Sequence, residues 1–281
     1  MRRFTQVAAV AGLLGMLMAA APNSGPRIVF VTGDDEYRSE FSMPMMARIL
    51  EAKYGLRTSI AYARPTPQTN NNIEGLEALR IADLAVFFLR WRRLPEDQLP
   101  FILDYLKSGK PVAGLRTATH SFLYPKGHPY EYLNDGFGID VFGQKWIRHH
   151  GHTSTTDVSV ISEQANHPIL RGIDRSFHVA SWLYVVEPLH GDCVPLLMGR
   201  AVNPEGKDYS PQPVAWTKTY KGARVFFTTL GHPDDFKVPS VRRLLINGIL
   251  WALGKPIPEG GANADVQGVY NPPPSGVPAK K

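Results

Sequence analysis

The sequence has almost no cysteine: Cys193 is the single one in 281 residues. One cysteine cannot close an internal disulfide, so the fold has to be held by its core in whatever compartment it works. Within "GDCVPLL" it reads as a small apolar side chain rather than a nucleophile. Membrane-length apolar runs are also lacking. The run at residues 7 to 18 covers about 12 positions, against the ~20 that a spanning helix needs. Basic stretches interleaved with aromatics are absent apart from the short "RWRR" at 90 to 93, and the net charge of +6 is modest. That argues against nucleic acid as a partner.

What the N-terminus does contain is a signal-peptide pattern. Arg2 and Arg3 form a basic start, residues 7 to 18 the apolar stretch, and Ala19, Ala20 and Ala21 a small-residue cleavage zone. The expectation is an exported protein, periplasmic or extracellular, whose signal occupies residues 1–21 and which keeps no stable membrane insertion after cleavage. No cysteine follows the apolar run, which argues against a bacterial lipid anchor.

Beyond it, "RIVFVTG" at 27 to 33 is a β-branched apolar run closed by glycine, and "FSMPMMARILEAKYG" at 41 to 55 has helical spacing. The alternation continues through "RTSIAYA", a weak helix at 73 to 80, "ADLAVFFL", "LPEDQLPFILDYLKSG" and "KPVAGL". Strands apolar throughout and separated by helices predict an α/β fold of three layers, a mostly parallel central sheet with helices on both faces. A looser segment rich in Tyr, Gly and His follows residue 122. Five further strand-like runs come next, then a last amphipathic helix at 240 to 254. The chain thus divides into one domain over 27–256 and a tail rich in Pro and Gly over 257–281 without the pattern for a core.

In open parallel sheets ligands bind at the carboxyl ends of the strands. The residues following each run are "GDDEYRSE" (33 to 40), "RWRR" (90 to 93), "RTATH" (116 to 120) and "GHPDDF" (231 to 236). Four loops of acids, arginines and histidines therefore converge on one rim. "PVAGLRTATHSF" at 111 to 122 is a strand that breaks and restarts at once as a helix, the geometry of a nucleophile elbow, yet the elbow position holds Arg116. An arginine cannot attack a carbonyl, but it can bind an oxyanion, a carboxylate or sugar hydroxyls. Thr117 and Thr119 read as capping residues rather than nucleophiles.

These segments, together with "HHGH", "NHPIL" and "GARVFFTTLGHPDDF", resemble the ThuA-like (trehalose-utilisation) family over about residues 27 to 256. The resemblance implies a class I glutamine amidotransferase-like, flavodoxin-like fold and a link to carbohydrate use. In an amidotransferase a Gly-x-Cys-x-Gly elbow pairs with a later His-Pro-Glu. Here His232, Pro233 and Asp234 match the second half, and Arg116 replaces the cysteine, which removes glutaminase activity from expectation.

The expected chemistry is acid–base work on a carbohydrate or keto-sugar, with His232 and His120 transferring protons and Glu36 or Asp234 assisting. Arg116, Arg38, Arg92 and Thr117 would hold substrate oxygens. Hydrolysis, elimination and isomerisation all fit this equipment. Tyr37, Trp91, Tyr124, Tyr130 and Trp146 are candidates to stack on sugar faces, and they would serve equally in a non-catalytic carbohydrate-binding module. The closely spaced His149, His150 and His152 are candidate ligands for a divalent transition metal, Zn or Mn. The expected partner is a small carbohydrate. Association into a homo-oligomer is left open.

Overall fold

The computed structural model describes residues 25–151, 153–202 and 210–276. The proposed signal peptide and His152 lie outside them. Apolar runs form the strands at the middle of the sheet: β1 (Arg27–Gly33) is buried from Ile28 onward, and β4 (Leu84–Leu89), "LAVFFL", is buried at every position. Between them come α1 (Ser39–Tyr54), β2 (Arg57–Ala63) and β3 (Ile73–Glu74). Helix α1 stops at Gly55, whose left-handed backbone (φ 60°) lets its N–H bond the carbonyls of Glu51 and Leu50. Then follow α2 (Leu99–Lys107), β5 (Val112–Leu115) and a short 3-10 turn, Arg116–His120. The loose middle segment holds α3 (Leu133–Gly136), a π turn (Phe137–Phe142), β6 (Arg148–His149), β7 (Thr155–Val160), β8 (Ser176–Val179) and β9 (Tyr184–Val185). The chain closes with β10 (Val194–Val202), β11 (Gln212–Tyr220), β12 (Ala223–Thr228), a 3-10 turn (Pro233–Lys237) and α4 (Pro239–Ala252).

The main sheet runs β3-β2-β1-β4-β5-β12-β11-β10-β7-β8, and β6 pairs with β9 apart from it. Strands β2, β1, β4, β5 and β12 are parallel. The half beyond β12 is antiparallel. The change of direction has a local cause: β11 and β12 are joined only by Lys221 (φ 49°) and Gly222 (φ 80°), a two-residue hairpin with both central residues left-handed, and no helix intervenes to return the chain in parallel.

Both faces of the sheet are covered. Phe226 packs with Met43, Ile49, Leu245 and Ile249 on the side of α1 and α4, whereas its neighbour Phe227 joins Phe87, Ile102, Phe142 and Trp216 on the other. Successive residues of a strand face opposite ways, so one dipeptide serves both cores. Among the described residues no helix is long and apolar enough to cross a membrane.

The tail departs from expectation. It forms no helix or strand up to residue 276, but it buries Ile257, Ala262 and Ala264. Polar side chains of α4 hold it: Asn247 Oδ1 accepts the Ala262 N–H at 3.0 Å, and Arg242 Nε donates to the Ala264 carbonyl at 2.7 Å. A pattern of apolar spacing could not reveal a segment fastened through its backbone.

Candidate functional site

The carboxyl ends of β1, β4, β5 and β12 meet at one rim, and backbone strain concentrates there. Five non-glycine residues among those described have positive φ, and four of them, Asp35, Arg38, Trp91 and Arg116, stand in the loops after β1, β4 and β5. Each such position costs roughly 1–3 kcal/mol, which marks functional and over-determined sites. A cavity of about 170 Å³ between Leu106, Tyr132, Phe137 and Lys221 lies instead at the amino ends of β5 and β12, the edge that open parallel sheets do not use for ligands.

At the elbow, Leu115 is extended and Arg116 turns left-handed at φ 42°. The side chain is raised as the elbow geometry requires, but into the protein. Arg116 is fully buried. One of its terminal nitrogens donates to the carbonyls of Thr229 (3.0 Å) and Trp182 (3.2 Å), the other to the Tyr37 hydroxyl (3.0 Å). The guanidinium also lies 4.2 Å from the Tyr37 ring centre and 4.5 Å from that of Tyr184. A role in holding substrate was expected of Arg116; the structure makes it a caged cation that ties three loops together. Burial works against its charge, while Tyr184, Tyr37 and Asp235 favour it.

Other expected residues are committed in the same way. Arg92 is buried and donates to the carbonyls of Arg90, Pro67 and Thr69. Thr117 is buried, with no hydrogen-bond partner for its hydroxyl among the described residues. Tyr124 is buried, its hydroxyl bonded to the Leu94 carbonyl, and it stacks on His128 rather than facing the rim. Arg38 donates to the carbonyls of Pro274 and Gly276. Cys193 is a protonated thiol, pushed up to about 11 by burial.

His232 caps a helical turn. Its Nδ1 accepts the Asp234 N–H at 3.2 Å, which leaves the proton on Nε2, 2.7 Å from Ser275 Oγ. Burial holds its pKa below the usual imidazole value. The carboxylate that organises this loop is Asp235, not the expected Asp234. Asp235 is fully buried and accepts from Ser181 N–H (3.0 Å), Ser181 Oγ (2.5 Å), Gly231 N–H (3.0 Å) and His232 N–H (3.1 Å). Asp234 is exposed and pairs with Lys237 at 2.6 Å. Asp34 does similar work after β1, accepting the N–H groups of Glu36, Tyr37 and Ser39. Both buried aspartates escaped the sequence reading; the available signal was their place at the start of helical structure, Asp34 ahead of α1 and Asp235 at the third position of its turn, where Asp accepts orphan N–H groups.

Partly exposed side chains stand beside these supports. Glu36 receives Arg90 Nε at 3.1 Å, Asp35 receives Arg90 Nη1 at 3.0 Å, and the three side chains are 12–17% exposed. The Arg90 guanidinium lies 3.5 Å above the Trp91 ring. His120, 8% exposed, has ring centres of Trp146 at 5.4 Å, Trp91 at 5.8 Å and Tyr184 at 6.3 Å around it. His149 continues the wall, 5.0 Å from Trp182 and 6.1 Å from Trp146. Trp182 and Tyr184 escaped the sequence reading because they join these rings only through the pairing of β6 with β9.

The protonation of His120 follows from its neighbours. Thr119 Oγ1 has one hydrogen, which it donates to the Arg116 carbonyl (3.2 Å), so toward His120 Nδ1 (3.3 Å) it acts as acceptor. Nδ1 therefore carries the proton and Nε2 the lone pair. Burial first, then Arg90, Arg116 and His149, push its pKa well below 6.5. At neutral pH it is an uncharged base. Because the folded state refuses a proton that the unfolded state accepts near pH 6.5, stability is fully present above that pH and is lost as pH falls toward the folded value. We expect His120→Gln to flatten the acid limb of unfolding free energy against pH between 6.5 and 5, measured by urea titration; an unchanged slope would contradict the assignment. His150 and His167, also lowered by burial, contribute with the same sign and remain in the variant.

No three His, Cys, Asp or Glu side chains among the described residues gather closely enough to hold a metal ion. Of the expected triplet, His149 is part of the aromatic wall, His150 is buried with its N–H bonded to the Leu183 carbonyl, and His152 lies outside the described residues.

Fold and rim together define an α/β protein whose doubly covered sheet carries an elbow with a cation in place of a nucleophile. The chain belongs to the ThuA family, described as trehalose utilisation, whose profile matches residues 28–252. Among solved structures it is similar to a ThuA-like protein from Bacteroides uniformis (15% identity, 83% of this chain and 93% of that one, TM-score 0.58). A ThuA-like protein from Parabacteroides merdae is comparable (16% identity, 82% and 91%, TM-score 0.55). A β-galactosidase from Bacillus circulans sp. alkalophilus shares the fold over 32% of its length (12% identity, 83% of this chain, TM-score 0.50). No curated protein matches the sequence.

Proposed function

We propose that the chain is an exported enzyme acting on a neutral carbohydrate or keto-sugar by acid–base chemistry at the rim between Glu36, Arg90 and His120. The observation that carries this reading is His120: a neutral imidazole with its Nδ1 proton on Thr119 and no partner for its Nε2 lone pair among the described residues, set among the rings of Trp91 and Trp146. In the proposed reaction His120 takes a proton from a sugar hydroxyl or from carbon beside a carbonyl. Arg90, held by two carboxylates, stabilises the oxygen on which charge grows. Trp91, Trp146 and Trp182 offer flat apolar faces for the C–H faces of a sugar ring.

Neutrality of the substrate follows from the cations. The guanidinium groups of Arg90, Arg92 and Arg116 are all engaged, by carbonyls, by Tyr37 or by Asp35 and Glu36. An anionic ligand would have to break one of these sets. The family description supports a carbohydrate, and the pattern of residues 1–21 supports export. The cation at the elbow and the three tryptophans favour a second reading, a carbohydrate-binding module without catalysis.

The test is a panel of plain and 3-keto disaccharides, each with and without Zn²⁺ or Mn²⁺, followed by mass spectrometry and by tryptophan fluorescence. The proposal expects a new product mass together with a saturable fluorescence change. Saturation without product selects the binding module. No response to any sugar overturns both.

A further inference from the structure

We infer that residues 271–276 form a latch over the rim, an intramolecular occupant that a ligand entering beside His232 has to displace. The inference rests on the rim being the functional edge, and it concerns the segment that closes it.

The tail behaves as two parts. Up to residue 270 it is fastened: Ile257, Ala262 and Ala264 are buried, Asn247 and Arg242 hold its backbone, and Tyr54 donates to the Asn263 carbonyl at 2.9 Å. Tyr270 makes the last of these anchors, its hydroxyl donating to the Pro233 carbonyl at 2.9 Å and its ring 6.4 Å from Phe236. From 271 to 276 no side chain is buried, and Pro273 and Pro274 are exposed. The contacts that hold these residues are hydrogen bonds.

All of those contacts fall on the rim. Arg38 Nε donates to the Pro274 carbonyl (2.9 Å) and Arg38 Nη2 to that of Gly276 (3.1 Å). The Gly276 N–H donates to the Glu36 carbonyl (2.9 Å), and His232 Nε2 donates to Ser275 Oγ (2.7 Å). A hydroxyl on an imidazole and carbonyl oxygens on a guanidinium are the partners that a polyhydroxylated ligand would offer the same two side chains. The latch therefore stands in for such a ligand.

Its physical character suits opening. Exposed hydrogen bonds are largely matched by those that water offers the same groups, and segments without buried apolar contacts open locally at little cost. Three consecutive prolines, at 272, 273 and 274, keep the arm stiff and extended when it is released, so little conformational entropy opposes closing again. The hinge is the passage from Tyr270 to the first proline.

The experiment measures the rate at which diethylpyrocarbonate modifies His232, read by mass spectrometry of its peptide. It compares the full chain, a chain ending after Tyr270, and Ser275→Ala, which leaves the fold untouched should the truncation disturb it. His178, with its side chain 54% exposed, is the internal reference. In the full chain both ring nitrogens of His232 are engaged and reaction is slow. We expect at least a fivefold rise relative to His178 in the truncated chain and in Ser275→Ala. A smaller rise in Ser275→Ala overturns the latch, as does a smaller rise in a truncated chain that keeps its circular dichroism. No sugar enters this measurement, so the latch can fail while the carbohydrate reading stands, and the reverse.

Discussion

Replacing Arg116 by alanine is expected to lower the unfolding free energy by about 3–5 kcal/mol, the range for breaking a buried charged network. The substitution strands three acceptors at once: the carbonyls of Thr229 and Trp182 and the hydroxyl of Tyr37. Each buried polar group left without a partner costs roughly 1–3 kcal/mol. It also empties the space between the Tyr37 and Tyr184 rings. One effect opposes the loss: no desolvated charge remains to be held. An alanine at φ 42° carries the same left-handed strain as the arginine, so nothing is gained or lost there. Arg116→Lys keeps the charge but cannot span three acceptors in one plane, so it should fall between wild type and alanine. Urea unfolding followed by circular dichroism measures the series. A loss under about 1 kcal/mol for alanine, at the level of ordinary surface substitutions, would mean that the caged arginine is not a keystone of the rim.

The second large effect concerns turnover. His120→Ala is expected to lower kcat by ~10²–10⁴, the usual contribution of a positioned general base, with a KM change of a few-fold because the tryptophan walls remain. Among the described residues the His120 side chain makes one hydrogen bond, to Thr119, so its removal leaves the Arg116 cage and both cores intact. A variant that loses binding together with turnover would instead identify His120 as part of the wall.

The parallel half of the sheet was legible because its central strands are largely apolar; "LAVFFL" admits few other environments. The antiparallel half was legible as strands but not in direction, which depends on a two-residue turn at Lys221 and Gly222, weaker as a signal than Asn-Gly. At the site, the elbow showed itself through the abrupt passage from "VAGL" to "RTATH". Where its arginine points did not, because Tyr37 and Trp182 lie 79 and 66 residues away along the chain, and no local pattern separates an arginine aimed at solvent from one aimed at a cage. The adjacent acids of "GHPDDF" pose the same problem. Only the geometry of the turn puts Asp235 at the N3 position of a capping box and leaves Asp234 outside. Glu36 and His120 follow their strands directly in the sequence and so stand at the rim, whereas the approach of Trp146 to His120 depends on long-range packing.

The central claim is that chemistry resides at His120 and Arg90 and that the elbow pair, Arg116 and His232, supports the rim. The measurement that tests it most directly is kcat for His120→Ala and His232→Ala, compared side by side on whichever sugar the panel identifies. The account predicts a loss of ~10² or more for His120→Ala and less than about tenfold for His232→Ala, whose ring caps a turn and meets Ser275. The reverse order, with His232 indispensable and His120 dispensable, would contradict it.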